Sequence, residues 1–285
     1  MSGRSFFPGM MTLVLAGALP EGPAWAWGPD GHQVAALIAE QYLTDAAKEE
    51  IRSLLPSQAD SDEISDRRIA NWADEIREEL PETGPWHYVD IPLDAAGYDQ
   101  ARDCDCSNCI VERVKSLQKA LAQKTDENRM QRRGALKLLV HLVGDLHQPL
   151  HCAERKGPDG KPDRGGNDYE VVYPGANPNP SLHGVWDHHL VKRSIGGKEL
   201  ASYAHALMAK VTLEMKSRWE AGSVQDWAQE SHLAARNAAY QGLPPTPGAH
   251  PLGEEYLDRA QKTVDEQLHK AGVRLAKVLN EALKG

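Results

Sequence analysis

The sequence is short of positive charge. Lysine and arginine number 32 against 41 aspartates and glutamates, a formal net charge of −9. A protein that grips duplex nucleic acid through its own cationic side chains is normally basic, so that class is excluded. Any handling of nucleic acid here needs another source of positive charge. Beyond the N-terminal stretch, no apolar run approaches the roughly 20 residues that span a bilayer. There are no internal repeats and no low-complexity blocks. No Asn-x-Ser/Thr sequon free of proline occurs, so N-linked glycosylation is not expected. Hydrophobic residues at 41% and charged residues at 26% exclude a disordered chain and suffice for one large core.

The first 26 residues read as a secretory signal. Arg4 gives a weakly positive start, and an apolar stretch runs from about Phe6 to Leu19. That stretch is too short and too interrupted to cross a membrane. It leads to Ala24-Trp25-Ala26, an A-x-A cleavage pattern. A membrane anchor or a disordered tail is the competing reading. Cleavage after Ala26 frees an α-amino group on Trp27 and removes Arg4 and Glu21, so the mature chain keeps its net charge of −9. The expected destination is the periplasm or the medium, without a membrane anchor and as a monomer.

Cysteine is scarce: Cys104, Cys106, Cys109 and Cys152. An even number in an oxidising compartment predicts two disulfides, with three pairings open. Zinc held by the Cys104-x-Cys106-x-x-Cys109 cluster and Cys152 is the alternative.

Apolar spacing predicts helices over 30–43, Thr44 to Leu55, 61–79, 109–123, 128–148, 185–192, 197–219, 224–240 and 254–283. Pro56 and Pro149 mark helix ends. WHYVDI at 86–91 looks strand-like, and YEVVY at 169–173 reads as one arm of a small hairpin. The Pro-rich 241–253 could link domains; a surface loop is the preferred reading, because the last helix is amphipathic and needs a core. The fold class is all-α, one domain over 27–285 with a minor β-hairpin.

The chemistry sits in histidine and aspartate. His141 and Asp145 are four residues apart on the strongest predicted helix, and His183 and Asp187 repeat the spacing. That spacing brings two side chains to one helix face. His151 lies just beyond the first pair. Imidazole nitrogen with carboxylate oxygen is a normal donor set for catalytic zinc and unlike the all-oxygen set of calcium. Taken alone, each pair is more often a structural or surface pair. His147 falls off the ligand face and reads as structural. His188 and His189 point away, and His205, His232, His250 and His269 read as ordinary helix or loop residues. Trp27, with its freed amine and its own carbonyl, could chelate a metal, and His32 follows five positions on. Asp74 and Arg77 share a face of WADEIR, and His87 sits in a loop.

These residues fall in a series of motifs: WGPDGH, NWADEIR, WHYVDIP, HLVGDLHQPLHC, GGNDY, LHGVWD, WAQESHLAARNAAY and AGVRLAKVLN. In this order, across nearly all of 27–285, the chain resembles the S1/P1 type of zinc-dependent, secreted single-strand nucleases, also called 3′-nucleotidases. The fold shared with zinc phospholipase C enzymes is then expected.

The resemblance implies three Zn2+ ions. One would be held by Trp27, His32 and Asp145. A second would take Asp74, His87, His141 and the same Asp145 as a bridge. The third would take His151, His183 and Asp187. Arg77 falls where the family stabilises phosphate, and Asn167 where it has a substrate-side asparagine. Asp74, Arg77 and Asp145 are the implied catalytic residues. The expected substrates are single-stranded DNA, RNA and 3′-nucleotides, with 5′-nucleotides as polymer products. Metal would bring the pKa of bound water to about 7, supplying a nucleophile for in-line attack on phosphorus. Three dications also reconcile an acidic chain with a polyanionic substrate. Single strands are favoured because they can bend into a recessed site and stack a base on an aromatic ring. Two alternatives compete: a zinc-dependent phospholipase C, and a non-catalytic secreted zinc-binding protein. The spacing from Trp27 to His32 and the Asp at the end of both helical pairs disfavour the phospholipase.

Overall fold

Helix signals in the sequence are realised closely. The computed structural model describes residues 27–55, 62–125 and 127–284. The expected signal segment 1–26 and the expected stop at Pro56 lie outside the described residues. Helix α1 (Pro29–Tyr42) opens on a proline, whose fixed φ suits the first helical turn. Helix α2 (Asp45–Leu54) is capped by Thr44, whose hydroxyl accepts from Ala47 N–H. The span expected as one helix over 61–79 is two, α3 (Arg67–Ala70) and α4 (Trp72–Glu79). The break has a reason in the site: the Ala70 carbonyl accepts from His141 Nδ1, while Asp74 N–H bonds to Asn71 instead.

Next come the short α5 (Gln100–Asp103), α6 (Ile110–Ala122) and α7 (Arg129–Leu146). The second half of α7 is buried on every side, from Ala135 to Leu146. A helix polar at one end and enclosed at the other belongs at the centre of the molecule. Helices α8 (Leu182–Gly184) and α9 (Leu190–Ile195) are joined by a π-helical turn, Val185–His189. The expected helix 197–219 is broken into α10 (Leu200–Met208) and α11 (Leu213–Glu220), because Thr212 starts a new helix by accepting from Met215 N–H. Helix α12 (Val224–Ala234) begins with a Ser223–Asp226 capping box.

The last helix, α13 (Glu254–Ala282), ties the fold together. It packs along α1, α7 and α9. Its first half joins an apolar cluster with Trp27, Trp186 and Tyr203; its second half joins another with α2, α6 and α7. At the crossing with α1, Gly272 is required: an added Cβ would lie 2.5 Å from Ile38 Cβ. Arg274, 1% exposed, locks the helix to its neighbours. Its guanidinium donates to the Trp219 carbonyl, to both oxygens of Glu230 and to His147 Nε2.

Three expectations are corrected. The hairpin does not form: β1 (Val171–Val172) pairs in parallel with β2 (His250–Pro251), nearly 80 residues on, and the local return is one antiparallel bridge, Glu170 to Ser181. Parallel strands need a long crossover, here α8 to α12. This pairing also pins the Pro-rich stretch to the body, with Leu252 buried. WHYVDI is not a strand: Pro81–His87 is a 3-10 turn, and the extended residues after it bond to His151 and Glu154. Two disulfides are not present among the described residues. Cys104 bonds to Cys109, Cys106 is an exposed thiol and Cys152 a buried one. Cys152 lies in the core with its thiol against the Leu146 carbonyl, out of reach of the surface Cys106. The same pairing removes the four-cysteine zinc alternative. No described helix is long and apolar enough to cross a membrane.

Candidate metal centre

Four elements bring imidazoles and carboxylates to one place. Helix α7 contributes His141 and Asp145, α1 contributes His32, α4 contributes Asp74, and the 3-10 turn ends on His87. All five side chains are buried. Asp145 stands between the others. Its Oδ1 lies 3.2 Å from His32 Nε2, and its Oδ2 lies 2.8 Å from His87 Nδ1 and 3.4 Å from His141 Nε2. Asp74 faces the same space, 3.5 Å from His141 Nε2 and 3.8 Å from His87 Nδ1. The His32 ring stacks on His141 with centroids 3.8 Å apart. Gly144 permits this, since a Cβ there would meet His32 Nδ1 at 2.6 Å.

A second group lies beside the first. His151 is on a 3-10 turn, Pro149–Cys152; His183 is on α8, and Asp187 on the π-helical turn. His183 Nε2 is 3.1 Å from His151 Nε2 and 3.3 Å from Asp187 Oδ2. The proton positions follow from the partners. His151 Nδ1 donates to the His87 carbonyl at 2.7 Å, and His183 Nδ1 donates to the Gly165 carbonyl at 2.8 Å. In the neutral rings, both Nε2 lone pairs therefore point at one another. Two facing lone pairs repel unless a cation or a proton lies between them.

These residues fit metal ions. Buried His32 Nε2, His141 Nε2, Asp145 Oδ1 and Asp187 Oδ2 have no hydrogen-bond partner. Buried polar atoms are seldom left so. Ligands about 2.1 Å from a tetrahedral ion stand about 3.4 Å apart, which is the spacing seen here. Nδ1 bonds to backbone carbonyls are the usual way to orient a ligating imidazole, and His141, His151 and His183 all have them. Three trios of donors satisfy the spacing: His32, His141 and Asp145; Asp74, His87 and His141; His151, His183 and Asp187.

Electrostatics agree. Burial, reinforced by His141, lowers His32 to about 4. Burial and His151 lower His183 to about 3. These rings stay neutral, as ligation requires. Burial acts on Asp145 in the opposite sense, but the His141 charge, with the nearby His32 ring and the His87 contact, overcomes it and holds the carboxylate ionised. Burial pushes Asp187 well above the ordinary carboxylate range, against a hydrogen bond from Gln148. Such a group is ionised only with a cation beside it.

The second group, and His87 of the first, line one cleft of about 1350 Å³. Arg77 and Asn167 line it, as does the Tyr88 ring, 40% exposed. Asn167 Nδ2 donates to the Arg164 carbonyl, so its amide also braces its own loop. Trp27 is buried in the core and donates its indole N–H to the Gly144 carbonyl.

A family model described as S1/P1 Nuclease matches residues 27–284. The chain belongs to the S1/P1 nuclease family. Among its relatives, endonuclease 4 of Arabidopsis thaliana is 30% identical over 95% of this chain and 92% of its own. Nuclease S1 of Aspergillus oryzae is 27% identical over 88% and 90%, and nuclease P1 of Penicillium citrinum 28% over 90% and 97%. As an S1/P1 nuclease, the chain is an endonuclease-type hydrolase whose His and Asp groups support a metal cofactor.

Some residues of the site are not found by spacing alone. His147, read as structural, donates Nδ1–H to Val143 and accepts from Arg274, so it braces α7 without facing the cleft. His188 and His189, expected to point away from Asp187, both line the cleft. His232 and His269, expected to be ordinary, are fully enclosed. Gln148 and Tyr88 have no ligand-type spacing of their own, although both stand inside the motif series, Tyr88 beside His87 and Gln148 three residues before His151.

Proposed function

We propose that this nuclease is exported and hydrolyses single-stranded DNA and RNA to 5′-nucleotides, and removes the phosphate of 3′-nucleotides, with three Zn2+ ions. The observation that carries the reading is the pair of buried donor groups, with orphaned nitrogen and oxygen atoms, beside one arginine-lined cleft. His32, Asp74, His87, His141 and Asp145, with the amine and carbonyl of Trp27, would hold two ions; His151, His183 and Asp187 would hold the third. Bound zinc supplies Lewis acidity and lowers the pKa of water toward neutrality.

The chain's own residues do the rest. Arg77 offers a fork of N–H donors to the equatorial oxygens of a phosphate in the cleft. Asp74 accepts a hydrogen bond from the attacking water and aims it. The pairing of Asp145 with both His32 and His141 lets one carboxylate serve two positions. Tyr88 presents a ring face to a base, which a single strand can reach and a stacked duplex cannot. Asn167 adds a polar contact in the same cleft. The buried walls keep these charges in a low-dielectric setting where each contact counts for more.

The test is direct. Mature protein loaded with zinc should cleave a single-stranded oligonucleotide and lose that activity on chelation, while elemental analysis returns three zincs. Turnover of short-chain phosphatidylcholine instead of the oligonucleotide would identify a phospholipase. Zinc binding with no turnover of either would identify a carrier.

A further inference from the structure

Gln148 is fully buried, does not titrate, and takes no part in the reaction described above. It is nevertheless bonded to three of the residues that face the two donor groups. Its backbone N–H donates to the Asp145 carbonyl at 2.9 Å, and its carbonyl accepts from His151 N–H at 3.0 Å. Its side-chain Oε1 accepts from Leu150 N–H at 2.7 Å and so caps the 3-10 turn that carries His151. Its Nε2 donates to Asp187 Oδ1 at 2.7 Å, across 39 positions of sequence.

The chemistry of these partners fixes the amide. Leu150 N–H can only donate, so Oε1 must face it and Nε2 must face Asp187. An amide N–H against Asp187 Oδ1 leaves Oδ2 as the oxygen that turns toward His183, and Oδ2 is the one with no partner. The same amide group therefore sets the turn that presents His151 and the rotation of Asp187. Only an amide of this length can do both: a carboxylate would keep the bond to Leu150 and set a second anion against Asp187, and a thioether would lose both bonds.

We propose that Gln148 is a positioning residue that assembles the His151–His183–Asp187 site and tunes its affinity for a divalent cation. This rests on the metal-centre reading above. Partners that orient ligands in this way typically change metal affinity by about 10- to 100-fold when removed.

The experiment compares wild type with Gln148→Glu and Gln148→Met, full mature chains, each titrated with zinc and then stripped with graded chelator. Elemental analysis counts the ions, and circular dichroism and melting in excess chelator report the fold without metal. The expected result is selective: both variants keep the two tightly coupled ions and lose the third, or hold it about 10- to 100-fold more weakly. Metal-free Gln148→Glu should keep the wild-type circular dichroism, since the turn cap persists, with melting lowered by the anion set against Asp187. Three ions in both variants, with the weakest bound as in wild type, would overturn the proposal and leave the metal centre standing. Even weakening of all three ions would also overturn it, as a general loss of structure. A wild-type protein that takes up no zinc would defeat the metal-centre reading itself.

Discussion

The indole N–H of Trp27 donates to the carbonyl oxygen of Gly144 at 2.9 Å, inside the core and one residue before Asp145. This bond joins the residue that follows the expected signal cut to the helix that carries His141 and Asp145. Trp27→Phe keeps most of the apolar bulk but removes one of the two donors to the buried Gly144 carbonyl, which still accepts from His147 N–H. It should lower the stability of the metal-free protein by about 0.5–1.5 kcal/mol, read by chemical denaturation. Uncleaved precursor should have the indole in place and still lack the metal bound through the Trp27 amine. Its zinc content should be lower and its nuclease activity nearly absent; full activity in a metal-loaded precursor would count against a role for the amine.

Asp145 offers one oxygen to His32 and the other to His87 and His141. Asp145→Asn removes the charge that two ions would share. Zinc content should drop by more than one ion per chain. Turnover should fall by about 100-fold or more, given the several kcal/mol that metal catalysis supplies. A variant with three zincs and unchanged kcat would show that the carboxylate does not bridge.

Thiol chemistry checks the cysteine assignment. A thiol reagent should react with one group in the native protein, the exposed Cys106. After unfolding without reductant it should react with two, adding the buried Cys152. Four would contradict the Cys104–Cys109 bond, and none would contradict the two free thiols. Breaking that short loop by Cys104→Ser and Cys109→Ser should cost about 2 kcal/mol.

Acid should weaken the metal-free protein. Burial, with His141, holds His32 at about 4; burial, with His151, holds His183 at about 3; burial alone holds His269 at about 4. Unfolded imidazoles take a proton near pH 6.5, so between about 6.5 and 4 the unfolded chain binds more protons than the folded one. Stability from these groups is present above 6.5 and is lost as pH falls toward 4. His141, Asp187, Asp90, Glu40 and Glu154 are shifted upward, so their contributions run the other way, present in acid and lost as pH rises. Depressed histidines outnumber them, His147, His151, His188 and His232 included. The melting temperature in excess chelator should fall steadily from pH 6.5 to 4, and His269→Leu should flatten part of that slope. A flat or rising curve would reverse the sign assigned here.

Much of this molecule is written locally. Apolar residues at helical spacing, Thr44 as a cap and Pro29 at a first turn act over a few residues, so they predict helices wherever they occur. The i, i+4 pairs His141–Asp145 and His183–Asp187 mark one helix face each for the same reason. The motif series, in its order along the chain, marks the family without any tertiary contact. What the sequence could not decide depends on contacts between distant segments. Asn71 interrupts a helix because the Ala70 carbonyl is needed by His141, 71 positions away. Val171 and Val172 pair with His250 and Pro251 because helices α8 to α12 return the chain to them, not because of anything in YEVVY. Cys106 and Cys152 stay apart because one is on the surface and the other in the core. Gln148 is one more polar residue until Asp187 arrives across 39 positions to meet its amide. Short-range geometry is carried by the backbone itself, whereas these pairings exist only once packing has paid the entropy of bringing remote residues together.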